Sequence, residues 1–175
     1  MPLRPGRCYR HFSGPAYTRR EFVRGVPASK LTKFDMGNIG GDFAVTVNIV
    51  ADQAGQIRSN SLEAARIIAN KYLTVKVGDT NYHLKVRVFP HHVLKENKMI
   101  AGAGADRLQD GMRQSFGKPI GSAARVYAGQ PVITVRIAPQ FVAHVKEAYR
   151  LMSHKIPVRC RVQVEKGQEL VKSIF

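Results

Sequence analysis

The residue types that could do chemistry in this chain crowd together between positions 91 and 121, where glycines, histidines, carboxylates and cations are interleaved. Gly111, Gly117 and Lys118 outline a phosphate-binding P-loop, but five residues separate the glycines where the motif needs four. Pro119 also stands where a Ser or Thr would hold magnesium. Gly102-Ala103-Gly104 opens a dinucleotide fingerprint, yet Arg107 occupies the place of the third glycine and the stretch does not join strand to helix in a βαβ unit. His91 and His92 are adjacent, so in a strand their rings point to opposite faces and a shared metal is awkward. Cys8 and Cys160 are far apart and lack metal-ligand spacing, which reads as two reduced thiols in a cytoplasmic protein. Asp106 and Asp110 could pair on one helical turn, but Arg107 and Arg113 neutralise them, so they read as solvated or ion-paired residues rather than a general acid and base. No catalytic residue, metal or cofactor is expected.

What remains is charge. The 175 residues carry 28 Lys and Arg against 12 Asp and Glu, a formal +16. Such an excess repels itself, so a polyanion is the expected companion. There is no run of about 18 apolar residues to span a bilayer and no signal-peptide pattern, so nucleic acid is favoured over a membrane. Residues 111–146 contain no Asp or Glu but hold Arg113, Lys118, Arg125, Arg136 and Lys146, a pattern that indicates polyanion binding without choosing the polyanion.

Two segments concentrate the cations. Residues 1–35 form a basic N-terminal arm with Arg4, Arg7, Arg10, Arg19, Arg20, Arg24, Lys30 and Lys33 against Glu21 and Asp35. Tyr9, Phe12, Tyr17, Phe22 and Phe34 are interleaved with them. Guanidinium groups pair bidentately with phosphates, and planar side chains stack on exposed bases. Pro2, Pro5, Pro15 and Pro27 make a regular core element improbable and suggest an arm that follows a defined surface. The second segment, 97–121, carries Lys98, Arg107, Arg113 and Lys118, with Gly102, Gly104, Gly111, Gly117 and Gly121 to bend or to lie close against a partner. It follows no sustained period, as expected of a long projecting loop that RNA shapes and that is partly unstructured alone. Its middle, 106–116, could form a short helix with Asp106 as cap and Leu108, Met112 and Phe116 on one face.

The elements that must carry these segments show in the apolar periodicity. Residues 43–51 alternate as a half-buried strand. A helix follows, capped by Ser59 or Ser61, with Leu62, Ala65, Ile68, Ala69 and Tyr72 on one side. Residues 82–89 alternate again and leave His83, Lys85 and Arg87 on a cationic face open to RNA. After the loop, 123–128 and 132–138 read as a hairpin turned at Gly129-Gln130-Pro131. A second helix over 140–153 puts Phe141, Val145, Ala148 and Met152 inward and Lys146 and Arg150 on a face that suits phosphates. A last strand, 158–164, buries Cys160 as a small core residue. The fold class is α+β, a mixed or mainly antiparallel sheet with two helices in one domain over 1–175.

Several blocks also resemble a known family: RPGRCYR (4–10), RGVP (24–27), EAARIIANKY (63–72), NKM (97–99) and above all AGADRLQDGMRQSFGKPIG (103–121). They are similar to the large-ribosomal-subunit protein called L-ten-e in archaea and eukaryotes, the counterpart of bacterial L-sixteen. The resemblance covers nearly the whole chain. It implies an α/β-hammerhead fold bound to large-subunit rRNA near the aminoacyl-tRNA site, its loop reaching toward the peptidyl-transferase centre. It also implies tRNA and neighbouring ribosomal proteins as partners and a cytoplasmic, ribosomal location. Eukaryotic members carry a longer C-terminal tail, so an archaeal member is expected. On this resemblance the arm arginines and the loop cations Lys98, Arg107, Arg113 and Lys118 would contact RNA, and Arg125 of the acid-free stretch is expected to join them.

Overall fold

The computed structural model describes residues 4–99, 102, 107, 111–113 and 115–171. Among the described residues eight strands make two antiparallel sheets, both backed by the same helical layer. β1 (Asp35–Gly37), β4 (Tyr82–Val86), β7 (Pro131–Ile137), β2 (Val45–Ala51) and β8 (Cys160–Lys166) form the larger sheet in that spatial order. β3 (Gly55–Arg58), β6 (Lys118–Val126) and β5 (His92–Glu96) form the smaller one. Two α-helices lie wholly within the described residues, α1 (Ser59–Lys76) and α2 (Val142–Ser153). The α+β class and the antiparallel pairing agree with the sequence reading.

β2 lies between β7 and β8, so its alternation is only half visible in burial. Val45, Val47 and Ile49 are wholly buried under the helices, and Thr46 and Val50 on the other face are nearly so. Asn48 there accepts from the Thr134 hydroxyl at 2.8 Å and donates to Glu165 at 2.8 Å, a polar ladder that satisfies the outer face. α1 buries Leu62, Ala65, Ala69 and Leu73, with Ile68 and Tyr72 packed at the edge of the core. α2 buries Val142, Val145, Ala148 and Met152. Side chains from α1, α2, β2, β3, β4, β6 and β7 share one apolar cluster, and each fully buried Leu or Ile in it contributes about 1.5–3 kcal/mol.

Four expectations need correction. The strand at 123–128 begins earlier, at Lys118, and does not pair with β7. β6 enters the smaller sheet, and the turn at Gly129, with φ +82°, passes the chain to the larger one. Alternation marks a strand without naming its partner. β6 lies in the middle of the smaller sheet, between β3 and β5, and its residues from Ser122 to Val126 are all buried. Neither Ser59 nor Ser61 caps α1, because β3 runs straight into the helix; Arg58 is the cap residue and makes no side-chain cap bond. The face of β4 expected to be open is partly closed by β1: His83 is 4% exposed, with Nε2 3.0 Å from Asp35, which Lys85 also approaches at 3.4 Å. On α2, the Arg150 guanidinium is engaged by Glu147 at 2.7 Å rather than left for phosphate.

Candidate nucleic-acid interface

The basic arm is pinned along its backbone to the smaller sheet. Gln56, 5% exposed on β3, donates from Nε2 to the carbonyls of Tyr9 (3.0 Å) and His11 (3.1 Å), while its amide donates to that of Arg10 at 2.8 Å. Arg58 donates to the Arg4 carbonyl at 2.8 Å and lies 5.2 Å over the Tyr9 ring. Arg125 donates to the Gly14 carbonyl at 2.7 Å and covers Phe12 at 4.7 Å. Tyr17 donates its amide to His92 Nδ1 at 2.8 Å and accepts from the Val93 amide at 2.9 Å. Farther along, Phe34 stacks on Phe89 and accepts from the Val86 amide at 2.8 Å.

These bonds decide which groups face outward. Four of the arm's five aromatic residues, Tyr9, Phe12, Tyr17 and Phe34, hold it to the body. Phe22 is 72% exposed and keeps a free face. Arg7, Arg19, Arg20 and Arg24 are exposed and make no ion pair with a described residue, and Arg10 is half-buried. Arg4 pairs with Glu96 at 2.9 Å through a side chain that is 58% exposed. Arg125 stands apart from the other predicted RNA-binding cations. At 8% exposed it holds the arm's backbone, so its place is that of a positioning residue.

The tautomer of His92 follows from its partner. Nδ1 accepts from Tyr17, so the neutral ring carries its proton on Nε2. The 3.4 Å approach of the Arg125 guanidinium to that nitrogen is then a contact between two N–H groups rather than a hydrogen bond. Burial, then the charges of Arg125 and His91, push the His92 pKa down to about 4. Glu96 acts on Tyr9 in the opposite sense: desolvation first, then the hydrogen bond at 3.2 Å, raise the phenol's pKa. Burial raises the Cys160 thiol to about 11, consistent with a packing residue, while Cys8 is exposed.

The loop springs from a closed base. Glu96 pairs with Lys118 where β5 meets β6, so the long loop is the connection between neighbouring strands. Gly117 is held there at close quarters, because a Cβ would come within 2.6 Å of the Glu96 carbonyl carbon. Gly121, expected to lend the loop freedom, instead pairs with Leu94 inside β6. Lys95 sits 4.6 Å over Tyr17 of the arm and 3.6 Å over Phe116 of the loop, bringing both cationic segments to the same edge. Lys98, Arg107, Arg113 and Lys118 are exposed. Gly104 and most of the helix expected over 106–116, with Asp106, Leu108 and Asp110, lie outside the described residues.

Sequence reasoning missed Gln56, Arg58, Arg125 and His92 as the clamps of the arm. Their only signal is polar side chains interrupting short strand-like runs. Among the described residues no three His, Cys, Asp or Glu are grouped to hold a metal ion, and no helix is long and apolar enough to cross a membrane.

Comparison with known proteins gives a consistent answer. The family described as ribosomal protein L16p/L10e matches residues 12–163. Large ribosomal subunit protein uL16 of Staphylothermus marinus is 62% identical over 162 residues, covering 93% of each chain. Its counterpart in Thermofilum pendens is 57% identical over 96% of this chain and all of its own. That of Methanocella arvoryzae is 55% identical over 98% of this chain and again all of its own.

Proposed function

Because the chain belongs to the ribosomal protein L16p/L10e family, and so is a structural protein of the large ribosomal subunit rather than an enzyme, we propose that its arm and loop bind large-subunit rRNA beside the aminoacyl-tRNA site. In this reading Arg4, Arg7, Arg10, Arg19, Arg20 and Arg24 anchor the arm among rRNA phosphates. Lys98, Arg107, Arg113 and Lys118 carry the loop toward the peptidyl-transferase centre and help position tRNA. Arg125 acts one step back, by fixing the arm's path. The chain works as one domain with two extensions and meets rRNA, tRNA and neighbouring ribosomal proteins.

The observation that carries this reading is the pinned arm. Its backbone is held by Gln56, Arg58, Arg125 and His92 and its Tyr9 and Phe12 rings by Arg58 and Arg125, while the guanidinium groups of Arg7, Arg19, Arg20 and Arg24 are left outward. A backbone ordered in advance presents its cations in a fixed register, which lowers the entropy cost of binding. Each phosphate neutralised releases condensed counterions and contributes about one unit to the salt dependence of binding. Such contacts position RNA without reading its sequence.

Purified large subunits washed at high salt and sedimented test the proposal. Stoichiometric retention of the chain, with arm and loop lysines protected from acylation in the particle, is the expected result. Release into the supernatant, or full reactivity of Lys98 and Lys118 in the particle, overturns it.

A further inference from the structure

We propose that the cavity at the start of α1 is a pocket for one extruded pyrimidine nucleotide of the bound RNA. The inference rests on the RNA-binding reading above and adds a specific site to it. The cavity lies where residues 27–30 of the arm cross the first turn of α1 and the neighbouring strand β6, and Pro27, Lys30, Ser59, Leu94, Ile120 and Ser122 help to line it. Its volume is about 150 Å³, a size that admits a single six-membered ring.

Two independent features point to a ligand with both an anionic and a planar polar part. The first amides of an α-helix have no intrahelical acceptor. In α1 no cap side chain supplies one, and no acid stands in the first turn of this 18-residue helix. That end therefore offers N–H groups and partial positive charge to a phosphate, with exposed Lys30 at the rim. The second feature is Ser122. It is 2% exposed, and its Oγ has no hydrogen-bond partner. It shares a face of β6 with Ala124 and Val126, which enter the apolar cluster beside Leu62 of α1, so the hydroxyl lies on the helix side of the strand. A buried hydroxyl left unmatched is unfavourable, and a serine can both donate and accept. The edge of a pyrimidine presents both kinds of group.

An acidic peptide would satisfy the amides and Lys30 but would leave the apolar wall of Pro27, Leu94 and Ile120 and the Ser122 hydroxyl unmatched. A nucleotide matches all three, its phosphate on the helix end, its ring against the wall and its polar edge on Ser122. Extruded, unstacked bases are what proteins read in RNA.

The test is an NMR titration of the isotope-labelled full chain with uridine monophosphate, adenosine monophosphate and inorganic phosphate. Saturable shifts of the Asn60, Ser61 and Leu62 amides are expected, with uridine monophosphate binding at least five-fold tighter than either rival. Ser122→Val should abolish that preference while phosphate binding stays. Lys30→Ala, at an exposed position where folding is not in question, should weaken uridine monophosphate and phosphate alike. Equal affinity for phosphate and both nucleotides, shifts confined to other amides, or displacement of uridine monophosphate by a short polyglutamate of higher affinity each overturns the proposal. Binding of an rRNA fragment is measured alongside: retained rRNA binding with a silent pocket sinks this inference alone, whereas loss of rRNA binding by the unaltered chain sinks the broader reading.

Discussion

Replacing Arg125 with alanine should detach the arm while leaving the body folded. The guanidinium makes a charge-assisted bond to the Gly14 carbonyl at 2.7 Å and lies 4.7 Å over Phe12, whose edge meets Tyr127 with centroids 5.8 Å apart. A hydrogen bond from a charged donor contributes about 1.5–3 kcal/mol and a partly exposed cation–π contact about 0.5–1 kcal/mol. The arm's opening free energy should therefore fall by about 2–4 kcal/mol, and each 1.4 kcal/mol is a factor of ten. Hydrogen exchange reads this directly, because the Gln56 amide is protected by the Arg10 carbonyl and the Val93 amide by that of Tyr17. Both should exchange roughly 30- to several hundred-fold faster in the variant. Val47 and Val135, paired in the larger sheet, should be unchanged. Arg125→Lys, which keeps the charge and loses the planar fork, should fall between. Unchanged exchange at Gln56 and Val93 would mean that the arm is held elsewhere. Equal acceleration in the sheet would make Arg125 a residue of global stability, and either result refutes the clamp.

The remaining predictions concern the same two segments. His92 is neutral in the folded state with its pKa pushed down to about 4, whereas an unfolded histidine titrates near 6.5. Its contribution is thus fully present above about pH 6.5 and is lost as pH falls toward 4. After discounting for partial exposure the loss is roughly 1–2 kcal/mol, and His92→Gln should remove that part of the pH dependence of the urea midpoint; an unchanged profile would exonerate the ring. Gly117→Ala must push the loop's base off Glu96 and should cost about 1–3 kcal/mol. Gly121→Ala, whose Cβ meets no atom within 4 Å, should stay within about 0.5 kcal/mol; equal denaturation midpoints for the two would contradict the packing argument. Arg107→Ala with Arg113→Ala changes two exposed residues, so the melting temperature of the isolated chain should hold while tRNA handling by reconstituted subunits declines. A collapse of melting would place the loop in the core.

Much of the architecture was legible in the chain itself. Apolar residues recur on one side of α1 and α2 because a helix can bury only a stripe, and Leu62, Ala65, Ala69 and Val145, Ala148, Met152 obey that period. Strand alternation likewise marked β2, β4, β7 and β8. The short strands β1, β3 and β5 escaped because three to five residues show no period unless the alternation runs on beyond them, as it does from β4 through residue 89. The excess of cations and the acid-free stretch required no structure to indicate a polyanion, since charge is counted from composition alone.

What only the tertiary structure decided is which of those cations face outward. Arg125 sits in the acid-free stretch and would be scored with Arg113 or Lys118 on composition, yet it lies under the arm, bonded to a backbone carbonyl 111 residues away. The arm's rings were suited by type to stacking on bases, and four of the five instead hold the arm to the body, Tyr9, Phe12 and Tyr17 on the smaller sheet and Phe34 on Phe89 beside the larger one. Sequence determines the chemical capacity of each side chain and the period of each element. Partner choice between strands, and whether a guanidinium meets a carbonyl or open solvent, depends on contacts between residues distant in the chain, which no local pattern encodes.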